Sequence, residues 1–424
     1  MRIKGEGPIP ARIMIVGEVP SERDEAAGHP FAGYDGQELN RMLHEADILR
    51  SECYVTTVCK VRPPGNQLSA FIALKKKDIS PLHKLLRDKY CLPPIQQGYT
   101  ELVAEIAMIQ PNVIIACGNL AMWALTGKWG ILKWRGSLLS TDIHKGHSLD
   151  NAWDSAIKVI PTLHPSAVLR EWSSRALVLS DLRRAKRHIT SRTYSNRPTW
   201  NFKVRPTFPE AISTIQALTS DAGAFADPVW LDFDIETRNE HIDCIGFSWS
   251  RQDAICIPLM GRGKPAGYWP EEEEAQIVFA LYRLLTHPNV KVRWQNGLYD
   301  AQYLHRHWHF IPQHGQDTMI TQHSLFCALP KGLSFLGSLY ADWYIYWKDE
   351  GKIASDVPEE QRWVYNLQDC VYTRECGEVL QETAEKMNLT QVDAAQQALF
   401  YPVLHAMLRG VRIIPERRAA MAVE

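Results

Sequence analysis

Residues 229–237, VWLDFDIET, decide the fold expected for the second half of this chain. The stretch is rich in apolar and β-branched residues, which predicts a strand. Side chains two positions apart in a strand leave the same face, so Asp234 and Glu236 should project together. Two more strands are predicted at residues 244–250 and 254–260, and helical patterns then dominate to the end. These elements predict an α/β unit that opens with antiparallel strands.

The N-terminal half alternates β-rich runs with helical periodicity from about residue 11. Its runs IMIV (13–16) and NVIIAC (112–117) are continuously apolar, as expected for strands buried on both faces of a parallel sheet. A three-layer α/β domain is therefore predicted first, and a polar, proline-punctuated linker should follow it. The predicted organisation is a first domain over 1–190, a linker over 191–208, a second domain over 209–385 and a helical segment over 386–424.

The composition is that of a folded domain protein, with 45% hydrophobic and 22% charged residues. No run approaches the roughly 18 apolar residues of a membrane span, and the start lacks the pattern of a signal peptide. The nine cysteines include no CxxC pair, so neither a disulfide framework nor a zinc site is indicated. We therefore expect a cytoplasmic protein without a membrane partner.

The net charge of −1 hides an asymmetry between the two halves. Residues 1–200 hold 27 Lys and Arg against 19 Asp and Glu, whereas residues 201–424 hold 20 against 29. A basic half can bind a phosphate backbone, and an acidic half that also binds a polyanion needs a local counter-charge, for which divalent metal is the obvious candidate. Two ordinary solvated surfaces are the alternative.

Two later motifs add acids to the pair at 234 and 236. In VRWQNGLYDAQYL (292–304), Asn296 and Asp300 are four residues apart and are expected to share one helical face. In QRWVYNLQDCVYTRE (361–375), Tyr365 and Asp369 have the same spacing. Four acids and a tyrosine can therefore converge.

This inventory suits a site for two hard cations. Mg²⁺ and Mn²⁺ prefer oxygen ligands, and two such ions about 4 Å apart can clamp a phosphoryl group during in-line displacement. Tyr365 is too weakly acidic to be the main base at neutral pH, but it can orient a water.

The second half resembles the proofreading 3′–5′ exonuclease of family A DNA polymerases, a ribonuclease H-like domain of the DEDD superfamily with tyrosine in its third motif. The resemblance rests on DFDIET (232–237), QNGLYDAQYL (295–304) and YNLQDCVYT (365–373). It implies that the metal ligands are Asp234, Glu236, Asp300 and Asp369. It also implies that Tyr365 orients the water, that Asn296 contacts nucleic acid, and that single-stranded or primer-template DNA 3′ ends are the substrate.

A second pocket is predicted after the first strand, because open α/β sheets bind ligands at the carboxyl ends of their strands. Glu18 offers a carboxylate there, Phe31 a flat ring, and His164 follows a later strand. An acid, a stacking ring and a histidine would suit a flipped nucleobase.

This half resembles family 4 uracil-DNA glycosylases, a group also found fused to bacteriophage polymerases. The resemblance rests on residues 17–36, on YVTTVCKVRPPGN (54–66) and on LHPS (163–166). It implies that Phe31 stacks on the base, that Glu18 acts on the water and that His164 stabilises the departing uracil. Thr57 replaces an asparagine that helps recognise the base, and Val61 replaces a cluster cysteine, so no iron–sulfur cluster is expected.

Residues 66–98 are longer than the family norm and carry Lys75, Lys76 and Lys77, which predicts either a loop that tracks a nucleic-acid strand or an inert insert. Three roles stay open for this half: a DNA-binding module or uracil sensor without activity, an active glycosylase, or a purely architectural domain. No polymerase motif is found, so a family A polymerase is expected as a partner, in a longer chain or as a separate polypeptide.

Overall fold

The computed structural model describes residues 1–142, 157–192, 199–264, 267–349 and 358–422, which form two compact units. The N-terminal unit comprises Met1–Arg197 together with Asp342–Tyr346. The C-terminal unit comprises Pro198–Ala341 and Trp347–Glu424.

The N-terminal unit alternates strands and helices. Its strands are β1 (Ile13–Gly17), β2 (Cys53–Thr57), β3 (Ile72–Ala73), β4 (Lys84–Leu86), β5 (Lys89–Cys91), β6 (Val113–Cys117), β7 (Leu139–Ser140) and β8 (Lys158–Thr162). Its helices are α1 (Glu22–Ala27), α2 (Tyr34–Glu45), α3 (Pro93–Ile109), α4 (Asn119–Thr126), α5 (Ile131–Trp134), α6 (Pro165–Arg170) and α7 (Arg175–Arg187).

The main sheet of this unit has the order β2-β1-β6-β8-β7, in which only β7 runs antiparallel to its neighbour. Every residue of β1, β2, β6 and β8 is buried, so both faces of the sheet are covered. The predicted three-layer parallel-sheet fold is thereby confirmed. The carboxyl end of β1 is followed directly by Glu18, as expected for a ligand-binding edge.

Five residues from much later in the chain complete this unit. The N–H of Leu138 donates to the carbonyl of Tyr344 at 2.7 Å, and Tyr344 is buried. The ring of Trp343 meets His188 edge-on, with 5.0 Å between centroids. The sequence predicted these residues to belong to the second domain, because their position in the chain gives no hint of this packing.

The C-terminal unit contains six strands and nine helices among the residues that the structure describes. Its strands are β9 (Asn201–Lys203), β10 (Val229–Arg238), β11 (His241–Ser248), β12 (Asp253–Pro258), β13 (Val290–Trp294) and β14 (His314–Asp317). Its helices are α8 (Phe208–Ala224), α9 (Glu271–Leu285), α10 (Leu298–Trp308), α11 (Thr318–Leu325), α12 (Leu333–Tyr340), α13 (Glu359–Lys386), α14 (Thr390–Gln397), α15 (Phe400–Arg409) and α16 (Pro415–Met421).

The sheet of the C-terminal unit has the order β14-β13-β10-β11-β12-β9. Strands β10, β11 and β12 are antiparallel neighbours, whereas β13 and β14 run parallel to β10. This arrangement, with the first long strand at the centre, confirms the predicted ribonuclease H-like fold. The parallel strand β14 was not predicted among the helical patterns of this region, whereas β13 coincides with the apolar, strand-like stretch before Asn296.

The predicted linker also contains regular structure. Residues Asn201–Lys203 form β9, which pairs in parallel with β12 at the edge of the sheet. Trp200 stacks on Phe202, and both pack against the buried cluster that strands β11 and β12 form with α13. Aromatic residues that alternate with polar ones are a strand signal, which the flanking prolines obscured. Residues 193–198 of the predicted linker lie outside the described residues.

Across the described parts of the chain, no helix is both long and apolar enough to cross a membrane.

Candidate active site

Two carboxylates project from the central strand of the C-terminal sheet. Asp234 and Glu236 alternate with the buried Phe233 and Ile235 along β10, so both leave the same face and are half-buried. Asp369 approaches them from α13, and one oxygen of each of the three carboxylates lies within 4.8 Å of the other two. The predicted convergence is therefore present for three of the four acids.

The fourth predicted acid lies against the same strand. Asp300 is in the first turn of α10 and is buried, and its Oδ1 accepts a hydrogen bond from the Ile235 N–H at 2.9 Å. It is not within the 4.8 Å group. Its negative charge nevertheless contributes to the raised pKa of Asp234, so Asp300 adds to the negative potential at the cluster.

Asn296 is not placed as the sequence predicted. The helix α10 begins only at Leu298, and Asn296 lies in the preceding turn with a φ of +65° and an exposed side chain. It therefore does not share a helical face with Asp300. The reason is local: the Asn296 and Gly297 N–H groups both donate to the buried carboxylate of Asp317, which holds the turn outside the helix.

Tyr365 and Asp369 lie one turn apart on α13, as predicted, and a lysine joins them. Lys348 Nζ donates to Tyr365 Oη at 2.9 Å and to Asp369 Oδ2 at 2.5 Å. The other oxygen of Asp369 accepts from Trp347 Nε1 at 2.6 Å. Both oxygens of this carboxylate thus have donors from residues 347 and 348, which sequence reasoning missed.

Two more residues of α13 orient the carboxylates. Asn366 Nδ2 donates to Asp234 Oδ2 at 2.7 Å, and Arg362 donates to Glu236 Oε2 at 3.3 Å. A Cβ at Gly246, which pairs with Asp234 in the sheet, would lie only 2.0 Å from the Asn366 amide oxygen. Glycine at that position therefore makes room for the amide.

A signal for these two residues was present in the sequence. Arg362, Asn366 and Asp369 recur at helical spacing, so a polar stripe on an otherwise buried helix could have identified them. Lys348 offered no such signal, because 21 residues separate it from Asp369.

The carboxylates repel one another in a partly desolvated site. Burial and the charge of Asp369 raise the pKa of Asp234 well above its ordinary range, and they raise the pKa of Glu236 to about 7. Burial opposes the charge on Lys348, but its interactions with Asp369 and Tyr365 together outweigh burial, and the pKa of the lysine is raised. Burial and Asp369 also raise the pKa of Tyr365, which keeps its phenol protonated. A cation among these acids would relieve the repulsion.

The donor set fits hard divalent ions. All four acids offer only oxygen, which Mg²⁺ and Mn²⁺ prefer, whereas the soft and imidazole ligands typical of zinc are not among them. Asp234, Glu236 and Asp369 are the residues that would hold an ion.

The N-terminal unit assembles the second predicted pocket around the end of β1. The ring of Phe31 stacks on that of His164, with 5.5 Å between centroids and an angle of 21°. A Cβ at Gly17 would meet the Phe31 ring at 2.7 Å and Thr57 Cγ2 at 3.3 Å. Glu18 follows, and its Oε1 accepts from the Leu120 N–H at the start of α4 at 2.9 Å.

The side chains of this pocket have fixed partners. Thr57 Oγ1 donates to the Cys59 carbonyl at 2.7 Å, so its hydrogen is not available to a base edge. The Ser166 N–H donates to His164 Nδ1 at 3.2 Å, which leaves Nε2 as the protonated nitrogen of the neutral ring. Burial lowers the pKa of His164 despite the opposing charge of Glu18.

The position of Phe31 depends on a glycine in α2. Phe31 has a φ of +56°, and a Cβ at Gly36 would lie 1.7 Å from the Phe31 carbonyl oxygen. Only glycine allows the helix to approach the turn this closely. Gly36 thus fixes the direction in which the Phe31 ring points.

Lys75, Lys76 and Lys77 follow β3 and are exposed. They lie in the connection between β3 and β4, and these two strands form a small antiparallel sheet of order β3-β5-β4 with β5.

Comparisons with known proteins identify a family for the N-terminal half. Residues 4–186 match the uracil DNA glycosylase superfamily. The chain is 33% identical over 191 residues to the type-4 uracil-DNA glycosylase of Thermotoga maritima, an alignment that covers 44% of this chain and 82% of that protein. It is 27% identical over 217 residues to the DNA polymerase of Bacillus phage SP01, covering 50% of this chain but only 20% of the polymerase.

Among solved structures, Escherichia coli RNase D, described as an exoribonuclease involved in structured RNA processing, matches with a TM-score of 0.36 and 15% identity. That match covers 49% of this chain and 51% of RNase D.

Proposed function

This chain belongs to the uracil DNA glycosylase superfamily, and we propose that it joins a DNA-binding domain of that family to a metal-dependent 3′–5′ exonuclease of the proofreading type. The observation that carries the exonuclease is the meeting of Asp234, Glu236 and Asp369 within 4.8 Å. Asp300 against the same strand and Tyr365 beside Asp369 support the same assignment.

Each residue has a role that its contacts support. Asp234, Glu236, Asp300 and Asp369 hold two Mg²⁺ or Mn²⁺ ions, whose chemistry is to activate a water and to stabilise charge on the phosphate. Tyr365 keeps its proton and orients the water. Asn366 and Arg362 orient the carboxylates of Asp234 and Glu236 by hydrogen bonds. The substrate we propose is the 3′ end of single-stranded or primer-template DNA.

The wider role we propose is as part of, or partner to, a family A DNA polymerase. The similarity to a phage DNA polymerase supports it, although the chain spans a fifth of that protein's length. A uracil-binding domain next to a proofreading nuclease would allow a polymerase to respond to uracil in its template.

The second candidate function is uracil recognition, with or without cleavage of the glycosidic bond. The stacked Phe31 and His164 beside Glu18 favour a base pocket. The Thr57 hydroxyl already donates to a carbonyl, so a buried base edge would lack a donor there and recognition of uracil would be less specific.

One experiment tests both activities. The protein is incubated with Mg²⁺ or Mn²⁺ and 5′-labelled single-stranded DNA that carries one uracil, with parallel lanes in EDTA and after alkali. We expect a ladder that shortens from the 3′ end and disappears in EDTA. An alkali-dependent break at uracil that survives EDTA would identify an active glycosylase, and a gel shift without either product would favour a non-catalytic scaffold.

The exonuclease assignment makes a direct prediction. Asp234→Ala with Glu236→Ala should abolish the ladder without unfolding the protein, because both substitutions leave the core side of the strand intact. Glu271→Ala with Glu272→Ala removes the same charge from the exposed start of α9 and should leave the rate unchanged. Substantial residual cleavage in the first variant would contradict the assignment.

A further inference from the structure

The small sheet of the N-terminal unit is strongly basic and partly apolar. Residues 72–91 hold five lysines and one arginine against two aspartates. Leu85 and Tyr90 are direct partners in the sheet, so their side chains share a face, and they are 60% and 40% exposed. A surface that combines lysines with exposed flat and apolar side chains is unusual for a purely solvated face.

A second segment extends this surface. Residues 128–134 contain two Lys-Trp pairs, Lys128-Trp129 and Lys133-Trp134, and Leu132 between them is 77% exposed. Lys128 Nζ lies 4.8 Å from the centroid of the Trp134 ring. The two tryptophans are half-buried, so each ring is held in place while part of it remains accessible.

Direct contacts join the two segments. Lys89 Nζ, in β5, lies 4.5 Å from the centroid of the Trp129 ring. The neighbouring Asp88 accepts a hydrogen bond from Trp123 Nε1 at 2.6 Å, which fastens the small sheet to α4. We call residues 72–91 and 128–134 together the lysine–tryptophan surface.

This surface borders the predicted base pocket. The Asn119 Oδ1 accepts from the N–H groups of Gly130 at 3.0 Å and Ile131 at 2.8 Å, so it anchors the 128–134 segment. The next residue, Leu120, donates its N–H to Glu18. A strand that lies along the surface would therefore be led to the carboxylate of the pocket.

We propose that the lysine–tryptophan surface binds single-stranded DNA, with lysines on the phosphates and Trp129, Trp134 and Tyr90 on the bases. Charge complementarity favours a polyanion, and exposed aromatic and leucine side chains favour one whose bases are unstacked. An acidic protein would pair with the lysines but would offer fewer planar groups to stack on the aromatic rings. The choice of DNA rests on the proposed function, whereas the single-stranded preference rests on the rings.

Binding is measured by fluorescence anisotropy of a labelled, uracil-free single strand, with the 424-residue chain in EDTA. Lys75→Glu with Lys77→Glu should weaken binding about tenfold and lower the slope of log affinity against log salt by about 0.7 for each phosphate that is no longer neutralised. Trp129→Ala should weaken binding about fivefold with an unchanged slope, because stacking is not a charge effect.

The matched control is Lys4→Glu with Arg12→Glu, which changes the net charge equally at exposed positions outside the surface. It should bind as the wild type does. Wild-type affinity in both test variants would overturn the proposal and direct attention to a protein partner. Equal affinity for a duplex of the same sequence would overturn the single-stranded assignment. Because no metal or uracil is present, these outcomes are independent of whether the exonuclease or glycosylase assignments hold.

Discussion

At the scale of single residues, the site is defined by acids that are near one another and a lysine that lies among them. Lys348 Nζ donates hydrogen bonds to one oxygen of Asp369 and to the Tyr365 hydroxyl, and Trp347 Nε1 donates to the other oxygen of Asp369. A metal ion that uses Asp369 must therefore compete with Lys348 for the carboxylate. The lysine acts as a built-in counter-charge for acids that would otherwise repel one another.

Lys348→Met should consequently bind Mn²⁺ more tightly than the wild type. Removing a charge that lies 2.5 Å from Asp369 leaves the cluster more negative, and each 1.4 kcal/mol of added attraction corresponds to about tenfold in affinity. Isothermal titration calorimetry measures the change. Lys386→Met, at the exposed end of the same helix as Asp369, should leave the affinity unchanged. Weaker Mn²⁺ binding in Lys348→Met would show that the lysine supports the site.

Tyr365→Phe should separate water positioning from metal binding. The substitution removes the protonated hydroxyl but leaves every carboxylate in place, so we expect cleavage to slow by roughly a hundredfold while the affinity for Mn²⁺ is retained. Single-turnover digestion of a labelled strand and calorimetry on the same preparation measure the two quantities. A parallel decrease in both would mean that the hydroxyl is needed to build the site.

At the scale of elements, the sequence predicted what depends on local pattern. The runs around β1 and β6 were identifiable because continuous apolar segments have few alternatives in a parallel sheet, and β10 was identifiable from its apolar and β-branched residues. The spacing of Tyr365 and Asp369 predicted their common face because both lie deep inside one long helix. The prediction that Asn296 shares a helical face with Asp300 was wrong, because the helix begins two residues after Asn296.

The remaining features depend on contacts between distant segments. No pattern in the sequence relates Lys348 to Asp369, or Tyr344 to Leu138, because neither pair shares a helix or strand. The roles of the four pocket residues and five site residues remain predictions, supported by their placement. Thr57 illustrates the limit, because the direction of its hydroxyl could only be read from three-dimensional coordinates.

A buried histidine predicts how the C-terminal unit responds to acid. His314, in β14, stacks on Phe400 at 4.0 Å, and burial lowers its pKa from 6.5 to about 4. The unfolded chain therefore binds the proton first as the pH falls below 6.5. The stabilising effect of the neutral ring is present above that pH and should diminish by up to about 3 kcal/mol as the pH approaches 4.

His314→Phe keeps the ring stack and should reduce this acid sensitivity. Urea midpoints at pH 7 and pH 5 measure it, and the difference between the two pH values should be smaller in the variant. His323→Gln, at an exposed position of α11, should retain the wild-type difference. An identical difference in His314→Phe would assign the acid response to other groups.

At the scale of the whole molecule, two compact units predict two separable unfolding transitions. Mn²⁺ should raise the midpoint temperature of only one transition, that of the C-terminal unit, because the carboxylate cluster belongs to this unit. At about one hundred times its dissociation constant, an ion that binds only the folded state adds roughly 2.7 kcal/mol. Scanning calorimetry with and without Mn²⁺ measures the shift.

Asp234→Ala with Glu236→Ala should remove the Mn²⁺ shift and leave both transitions in place. An equal shift of both transitions by Mn²⁺, or a shift that survives the substitutions, would place the strongest metal site elsewhere. The asymmetry of charge between residues 1–200 and 201–424 agrees with this division, since the acidic half is the one with the carboxylate cluster.

The strand β9 determines where the C-terminal unit begins. It covers the edge of β12, whose Ile255 and Ile257 are fully buried, and Trp200 and Phe202 cover part of the core beside it. A fragment that started at Phe208 would expose an unpaired apolar edge and tend to aggregate through strand pairing. A fragment that started at Thr199 would keep β9 on the edge of β12, so the C-terminal unit begins inside the segment that the sequence predicts to be a linker.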